Sequence, residues 1–304
     1  MRLPVYRPSV CAELPQAFEP FDGHWYAVAP SRAIRRGKKP FRLKVFGVVL
    51  ALWRTDDGEL QAIDDRCPHV GASLSGGRVE DDRIVCPYHG ARFDRAGHCV
   101  ELAGVPSHPG IPAGLKNRIY DVAEADGWVF LHWAEEGAEA PPLQRVGAMT
   151  QDGPPKSTSV SLRTWKAHFS RAVENSFDAY HFWEVHRILP FGRNPEAASS
   201  VEQDELLLQI ITTLEGREIE GSPALLYPNL WVQRLPGFAT VSIAFVPVGE
   251  RETAIWVRSD LHATGVPLLR GALSWMANKM WGFALWQDHA VVEEQTPLRS
   301  EDAH

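Results

Sequence analysis

The chain has 304 residues, 44% apolar and 23% charged, with a formal net charge of -7. This is the composition of a globular protein whose core needs no disulfides, and its acidic balance argues against a phosphate-gripping, nucleic-acid-binding role. No run of 18 apolar residues occurs and Met1 to Pro20 has no signal-type apolar core, so the expectation is a cytoplasmic protein with no membrane span.

Residues from Trp25 to Trp133 read as β-rich. Runs such as Arg42 to Trp53 and Trp128 to Trp133 hold Val, Leu and aromatics, and the turn signals Asp56-Asp57-Gly58, Gly76-Gly77 and Asp126-Gly127 separate them. Short strands at this spacing predict a small barrel or sandwich. From Glu135 to Ser159 the prolines 141, 142, 154 and 155 mark a crossing between domains. Thr164 to Ile188 then reads as helix, free of Pro and Gly and stopped by Pro190 and Gly192. Val201 to Leu214, Ala239 to Val246 and Trp256 to Leu261 read as strands. Leu268 to Gln295 reads as a long helix ending before Pro297. Sheet plus long helices predicts an α+β domain.

Two loops carry the first chemistry. Residues 67 to 69 are Cys-Pro-His and residues 86 to 89 are Cys-Pro-Tyr-His, with 16 residues between His69 and Cys86. Cys67 and Cys86 can give two thiolates to one iron, and His69 and His89 two imidazoles to another, which is the ligand set of a Rieske [2Fe–2S] centre. Neutral imidazole in place of anionic thiolate lifts the potential to roughly −150 to +300 mV. Pro68 and Pro87 stiffen the loops; Gly71 and Gly90 let the backbone approach the sulfides. A zinc site or a Cys67–Cys86 disulfide are the competing readings, but zinc knuckles pair like with like, whereas each loop here mixes one Cys with one His. Pro106 to Gly110 reads either as a cover over the cluster or as an ordinary turn. Cys11 and Cys99 read as inert buried thiols. Eleven tryptophans imply a large aromatic core, with some rings available to wall a pocket.

A second constellation lies at residues 174 to 186, Glu-Asn-Ser-Phe-Asp-Ala-Tyr-His-Phe-Trp-Glu-Val-His. His181 and His186 plus one carboxylate would form a facial triad that leaves positions open on Fe(II). Five residues turn an ideal helix by about 140° past full turns, so both imidazoles meet one metal only if the helix ends or distorts between them. Asp288 is the favoured carboxylate. On the final helix it shares a face with Trp281, Ala284, Leu285, Val291 and Val292, where an unpaired charge is costly unless a cation takes it. Glu293 and Glu294 have more polar neighbours. Without their surroundings, two such histidines would read as core or surface residues, and Asp288 as the partner of a nearby base. Phe177, Phe182, Leu189, Trp231, Phe238 and Trp256 are candidates for core or pocket.

These motifs resemble those of the Rieske non-haem iron oxygenases. Cys67 to His89 is similar to the cluster loops of that family's oxygenase and ferredoxin branches. The respiratory branch has further cysteines where Ala72 and Tyr88 stand here. Val70 and Ala91 depart from the Arg and Trp frequent in oxygenases. Asn175, Asp178, His181 and His186 stand at the spacing of the family's catalytic signature, and Trp286-Gln287-Asp288 through Glu293 looks like its C-terminal ligand segment. The resemblance implies an α+β chain, with an all-β Rieske domain at residues 1–140 and a catalytic domain of antiparallel sheet and long helices at 141–304. It further implies that Cys67, His69, Cys86 and His89 hold the cluster, that His181, His186 and Asp288 hold the iron, and that Asp178 bridges His181 to a cluster histidine, with Asn175 lining the iron site. The implied assembly is a homotrimer. The implied activity takes O2 and electrons from a reductase or ferredoxin to hydroxylate or oxidatively demethylate a small organic substrate, a monooxygenase in preference to a ring dioxygenase. The rival readings are an electron carrier with an unrelated C-terminal domain and a zinc-bearing binding module.

Overall fold

The computed structural model describes residues 23–37, 39–102, 111–112, 114–145, 152–178, 181, 185–186, 197–204, 206–214, 217–218, 223–263 and 269–295. Cys11, the 106–110 run, Phe182 and Leu189 lie outside them. The chain divides into two compact units, Met1–Leu143 and Gln144–His304.

The first unit is built of short antiparallel strands: β1 (His24–Pro30), β2 (Phe41–Val45), β3 (Val48–Arg54), β4 (Leu60–Asp64), β5 (Arg78–Glu80), β6 (Arg83–Val85), β7 (Arg92–Phe93), β8 (Cys99–Glu101), β9 (Val122–Ala125) and β10 (Trp128–Trp133). They form three sheets, in the orders β1-β10-β9, β2-β3-β4 and β5-β6-β7-β8. Asp126-Gly127 supplies the tight turn between β9 and β10, with both residues at positive φ (50° and 78°), the primed turn that matches strand twist. Trp53, Ile63, Leu74, Ile84 and Phe93 make a core that also contains the two loop cysteines, Cys67 and Cys86. Trp53, Trp128 and Trp133 of this unit are wholly buried.

The second unit holds β11 (Ser157–Trp165), α1 (Phe169–Phe177), β12 (Ala197–Asp204), β13 (Leu207–Leu214), β14 (Arg217–Glu218), β15 (Ala224–Leu226), β16 (Leu230–Leu235), β17 (Ala239–Gly249), β18 (Glu252–Leu261) and α2 (Arg270–Val292). One antiparallel sheet runs β11-β18-β17-β16-β15-β13-β12, with β14 paired to β13. Helices contribute Ala172, Leu285 and Val292 to a core against Trp165, Trp231, Ile243, Phe245 and Ile255 of the sheet.

Three sequence expectations are corrected. Ser157 to Ser159, read as linker, and Thr164 to Trp165, read as helix, belong to β11, which pairs along its whole length with β18. Its Ser- and Thr-rich start hid the strand. The helix begins only at Phe169, capped by His168, whose ring accepts a hydrogen bond from the Ser170 amide. Val201 to Leu214 is not one strand but parts of two, β12 and β13, folded into a hairpin. The long final helix falls inside its expected range.

Candidate metal centres

In the first unit the two Cys-x-His/Cys-x-x-His loops have one architecture. Cys67 N–H donates to Ala72 O and Gly71 N–H to Cys67 O, both at 2.8 Å. In the second loop Cys86 N–H donates to Ala91 O at 2.8 Å and Gly90 N–H to Cys86 O at 3.1 Å. Gly71 and Gly90 take φ of 79° and 68°, the left-handed conformation that closes each turn. Both cysteines are buried and not disulfide-bonded. The hydrogen bond between the two thiols lowers Cys86 to about 6 and pushes Cys67 up. The His69 and His89 rings lie 4.8 Å apart. His69 is buried, and its Nδ1 finds no hydrogen-bond partner among the described residues. Two adjacent buried sulfurs and an orphaned buried imidazole nitrogen fit a Cys2His2 cluster, which would take both thiolates and that nitrogen's lone pair. His89 is exposed, with the Tyr88 ring tilted at 44° beside it, centroids 3.9 Å apart.

In the second unit α1 ends at Asp178, whose backbone is extended (φ −78°, ψ 98°). Beyond that end the His181 and His186 rings lie 5.2 Å apart. Asp288 comes from α2, 4% exposed. His181, His186 and Asp288 each offer one ligand atom, all within 4.8 Å of one another. Asp288 Oδ1 lies 3.1 Å from His186 Nε2 and 3.5 Å from His181 Nε2. No well-directed hydrogen bond reaches that oxygen, so the ion-pair distances express proximity rather than a formed bond. Burial pushes Asp288 up, but the two facing imidazoles pull it net below the ordinary carboxylate value. Burial pulls His186 down, while Asp288 and Gln287 raise it net above the usual imidazole value.

The far nitrogens fix the tautomers. His186 Nδ1 faces Gln287 Oε1 at 3.1 Å, and His181 Nδ1 faces the Asp178 carbonyl oxygen. A carbonyl only accepts, so each Nδ1 carries the proton and each Nε2 presents a lone pair. Two lone pairs and a carboxylate oxygen then converge in an apolar wall. A proton on His186 would serve one pair; a divalent cation serves all three donors together, and the set suits Fe(II).

Asp178 sits exposed at the end of α1, its Oδ1 accepting the His181 amide at 3.3 Å. Asn175 and Ser176 line the cleft beside the triad. The cleft is walled by Trp165, Trp231, Phe245 and Trp281. Among the described aromatic candidates, Trp231 alone lines it. Phe177 packs into the core, Phe238 is 49% exposed, and Trp256 is half-buried elsewhere. Val291, expected on the Asp288 face, is 46% exposed, because the buried stripe runs through Leu285 and Val292 and Val291 lies on its far side.

The Rieske [2Fe–2S] domain family matches residues 24–113. The structure superposes on dicamba monooxygenase bound to dicamba with a TM-score of 0.71, covering 92% of each chain at 21% identity. The chain has the fold of a Rieske non-haem iron oxygenase. Curated relatives match about half of the chain. The Bombyx mori cholesterol 7-desaturase nvd is 33% identical over 173 residues, 55% of this chain and 36% of the relative. The Pseudomonas fluorescens aminopyrrolnitrin oxygenase PrnD is 33% identical over 171 residues, 54% of this chain and 46% of the relative. The match therefore spans less than half of each relative's length.

Within the Rieske oxygenase fold, sequence reasoning missed Trp165, Phe245, Trp281 and Gln287. Gln287 was legible in principle, as the polar neighbour of a buried carboxylate on an apolar helix. Trp281 was placed on the Asp288 face of the final helix but not assigned to a cleft, while Trp165 and Phe245 carried no local signal, since each reaches the cleft from a different element.

Proposed function

We propose that this chain is a Rieske-type terminal oxygenase, taking electrons from a separate reductase or ferredoxin and using O2 to hydroxylate or oxidatively demethylate a small organic substrate. The observation that carries the proposal is the convergence of His181 Nε2, His186 Nε2 and Asp288 Oδ1 at the apolar cleft. An electron carrier would need no such triad. In balanced form, a substrate C–H bond, O2, two electrons and two protons give C–OH and water. Bound in their sites, the cluster supplies single electrons and the iron a centre at which O2 is activated.

The chain's own residues do the rest. Cys67, His69, Cys86 and His89 would hold the cluster, with both sulfurs buried and His89 at the surface, where an electron partner can reach it. His181, His186 and Asp288 would hold the iron. Asp178 orients His181 through its carbonyl, and in an assembled oligomer its exposed carboxylate is available to a neighbouring cluster histidine. Asn175 offers a half-buried amide to substrate or to the iron site. The indoles and Phe245 exclude water and hold an apolar substrate. The 141–304 segment would be the catalytic domain and the 1–140 segment the electron-transfer domain. A soluble, cytoplasmic setting is part of the proposal; no described helix is long and apolar enough to cross a membrane.

Metal analysis and oxygen uptake test it together. The purified chain should carry three irons and a Rieske-type EPR signal, and should consume O2 with a reductase and a suitable member of a substrate panel. His186→Ala should keep the cluster and its signal, lose the third iron and lose uptake. Two irons in the wild-type chain would instead identify an electron carrier, and zinc without visible absorbance a binding module.

A further inference from the structure

His186 is gripped from both sides by consecutive residues of one helix. Asp288 Oδ1 faces its Nε2 at 3.1 Å, and Gln287 Oε1 faces its Nδ1 at 3.1 Å. Neighbouring residues on a helix point about 100° apart, so a side chain inserted between them can be touched at two edges. An imidazole has two edges of this kind. It is also the group whose chemistry depends on which edge is protonated.

We propose that Gln287 is a positioning residue for the mononuclear metal site, locking His186 as the Nδ1–H tautomer and aiming its Nε2 lone pair at the point shared with His181 and Asp288. The proposal rests on the oxygenase reading of the triad. His186 is 3% exposed, so no bulk water is at hand to take the Nδ1 proton's hydrogen bond in place of Gln287. Without an acceptor at that edge the ring would shift its proton to Nε2, where Asp288 offers a carboxylate at hydrogen-bond distance. That tautomer spends both the nitrogen and the carboxylate oxygen on each other and leaves His181 alone as a ready donor. The amide therefore works against an internal competitor of metal binding. His181 is handled differently, by the Asp178 main-chain carbonyl, which substitution of a side chain cannot remove. Gln287 is thus the point where the tautomer of a ligand depends on a side chain.

The test compares Gln287→Leu and Gln287→Glu in the full cluster-loaded chain. Iron beyond the cluster's two atoms is counted after anaerobic dialysis against chelator-buffered Fe(II), with cluster absorbance and Tm as controls. Gln287→Leu should weaken Fe(II) binding about tenfold to a hundredfold, with both controls unchanged. Gln287→Glu, whose carboxylate accepts the same proton, should restore binding to within about threefold of wild type, a rescue that a mere packing role would not produce. Wild-type affinity in Gln287→Leu, or equal loss in both variants, overturns the positioning role. Failure of the wild-type chain to take up a third iron overturns the oxygenase reading itself, and the two failures are told apart by that control.

Discussion

Two aspartates show how far neighbours decide what one residue type does. Asp288 is buried between imidazoles and is offered to a cation. Asp57 is solvated and is used as a tie. Its carboxylate accepts a hydrogen bond from the Thr55 hydroxyl and pairs with Arg95 at 2.9 Å, while Arg95 also reaches Glu59 and Asp82, each at 2.8 Å. The Thr55 hydroxyl first, and Arg95 next, lower the Asp57 carboxyl to about 2. A depressed folded-state value stabilises the fold above the ordinary carboxylate range, near about 4, and that contribution fades as pH falls toward about 2. Asp57→Asn should therefore flatten the acid limb of a Tm-against-pH profile across that window, most clearly at low salt. An acid limb identical in both proteins would mean that Asp57 retains its unfolded value.

At the scale of elements, turns and helix ends place the chemistry. The two Cys-His loops are closed by glycines at positive φ, and α1 stops at Asp178, short of the two histidines. Gly97 has the same kind of task in the turn between β7 and β8. It lies at φ +79°, and a Cβ there would collide with the Asn117 carbonyl oxygen, while Gly97 O accepts the Asn117 amide at 2.9 Å. Gly97→Ala combines left-handed strain with a backbone clash, and should cost at least about 1–3 kcal/mol in urea unfolding of the cluster-loaded protein. An unchanged midpoint would mean the turn moves aside freely. The histidine spacing demanded that the helix end or distort between His181 and His186; α1 ends earlier, at Asp178, and residues 182–184 lie outside the described ones. The start of that helix was not legible, because Thr164 and Trp165 are strand residues through pairing with Thr253 and Ala254, partners some 90 positions on in the sequence.

For the whole molecule, α2 is the informative surface. Its buried positions are few: Ser274, Gly282, Leu285, Asp288 and Val292. Its outer face shows Trp275, Met276, Met280, Phe283 and Trp286, each about half exposed or more. A helix apolar on more than its core stripe is ordinarily covered by something. We propose that the cover is another copy of the chain, in keeping with the homotrimer implied by the family resemblance. Native mass measurement of the cluster-loaded protein should give three times the 33.9 kDa chain mass. A monomer at micromolar concentration would remove the trimer from the proposal, and with it the role of Asp178 toward a neighbouring cluster.

The sequence by itself determined the donors. Cysteine beside histidine in two short loops, and two histidines five apart with an acidic residue on a distant apolar helix, are local chemical facts, and local facts survive in one dimension. It also determined α2, whose length outweighs any neighbour, and the Asp126-Gly127 turn, whose dihedrals only a few residues tolerate. Tertiary structure alone decided the β11 edge strand, the β12–β13 hairpin, the aromatic wall of the cleft and the grip of Gln287 on His186. Each of these depends on partners brought from far along the chain, and a strand or a pocket wall is made by its partner as much as by its own residues.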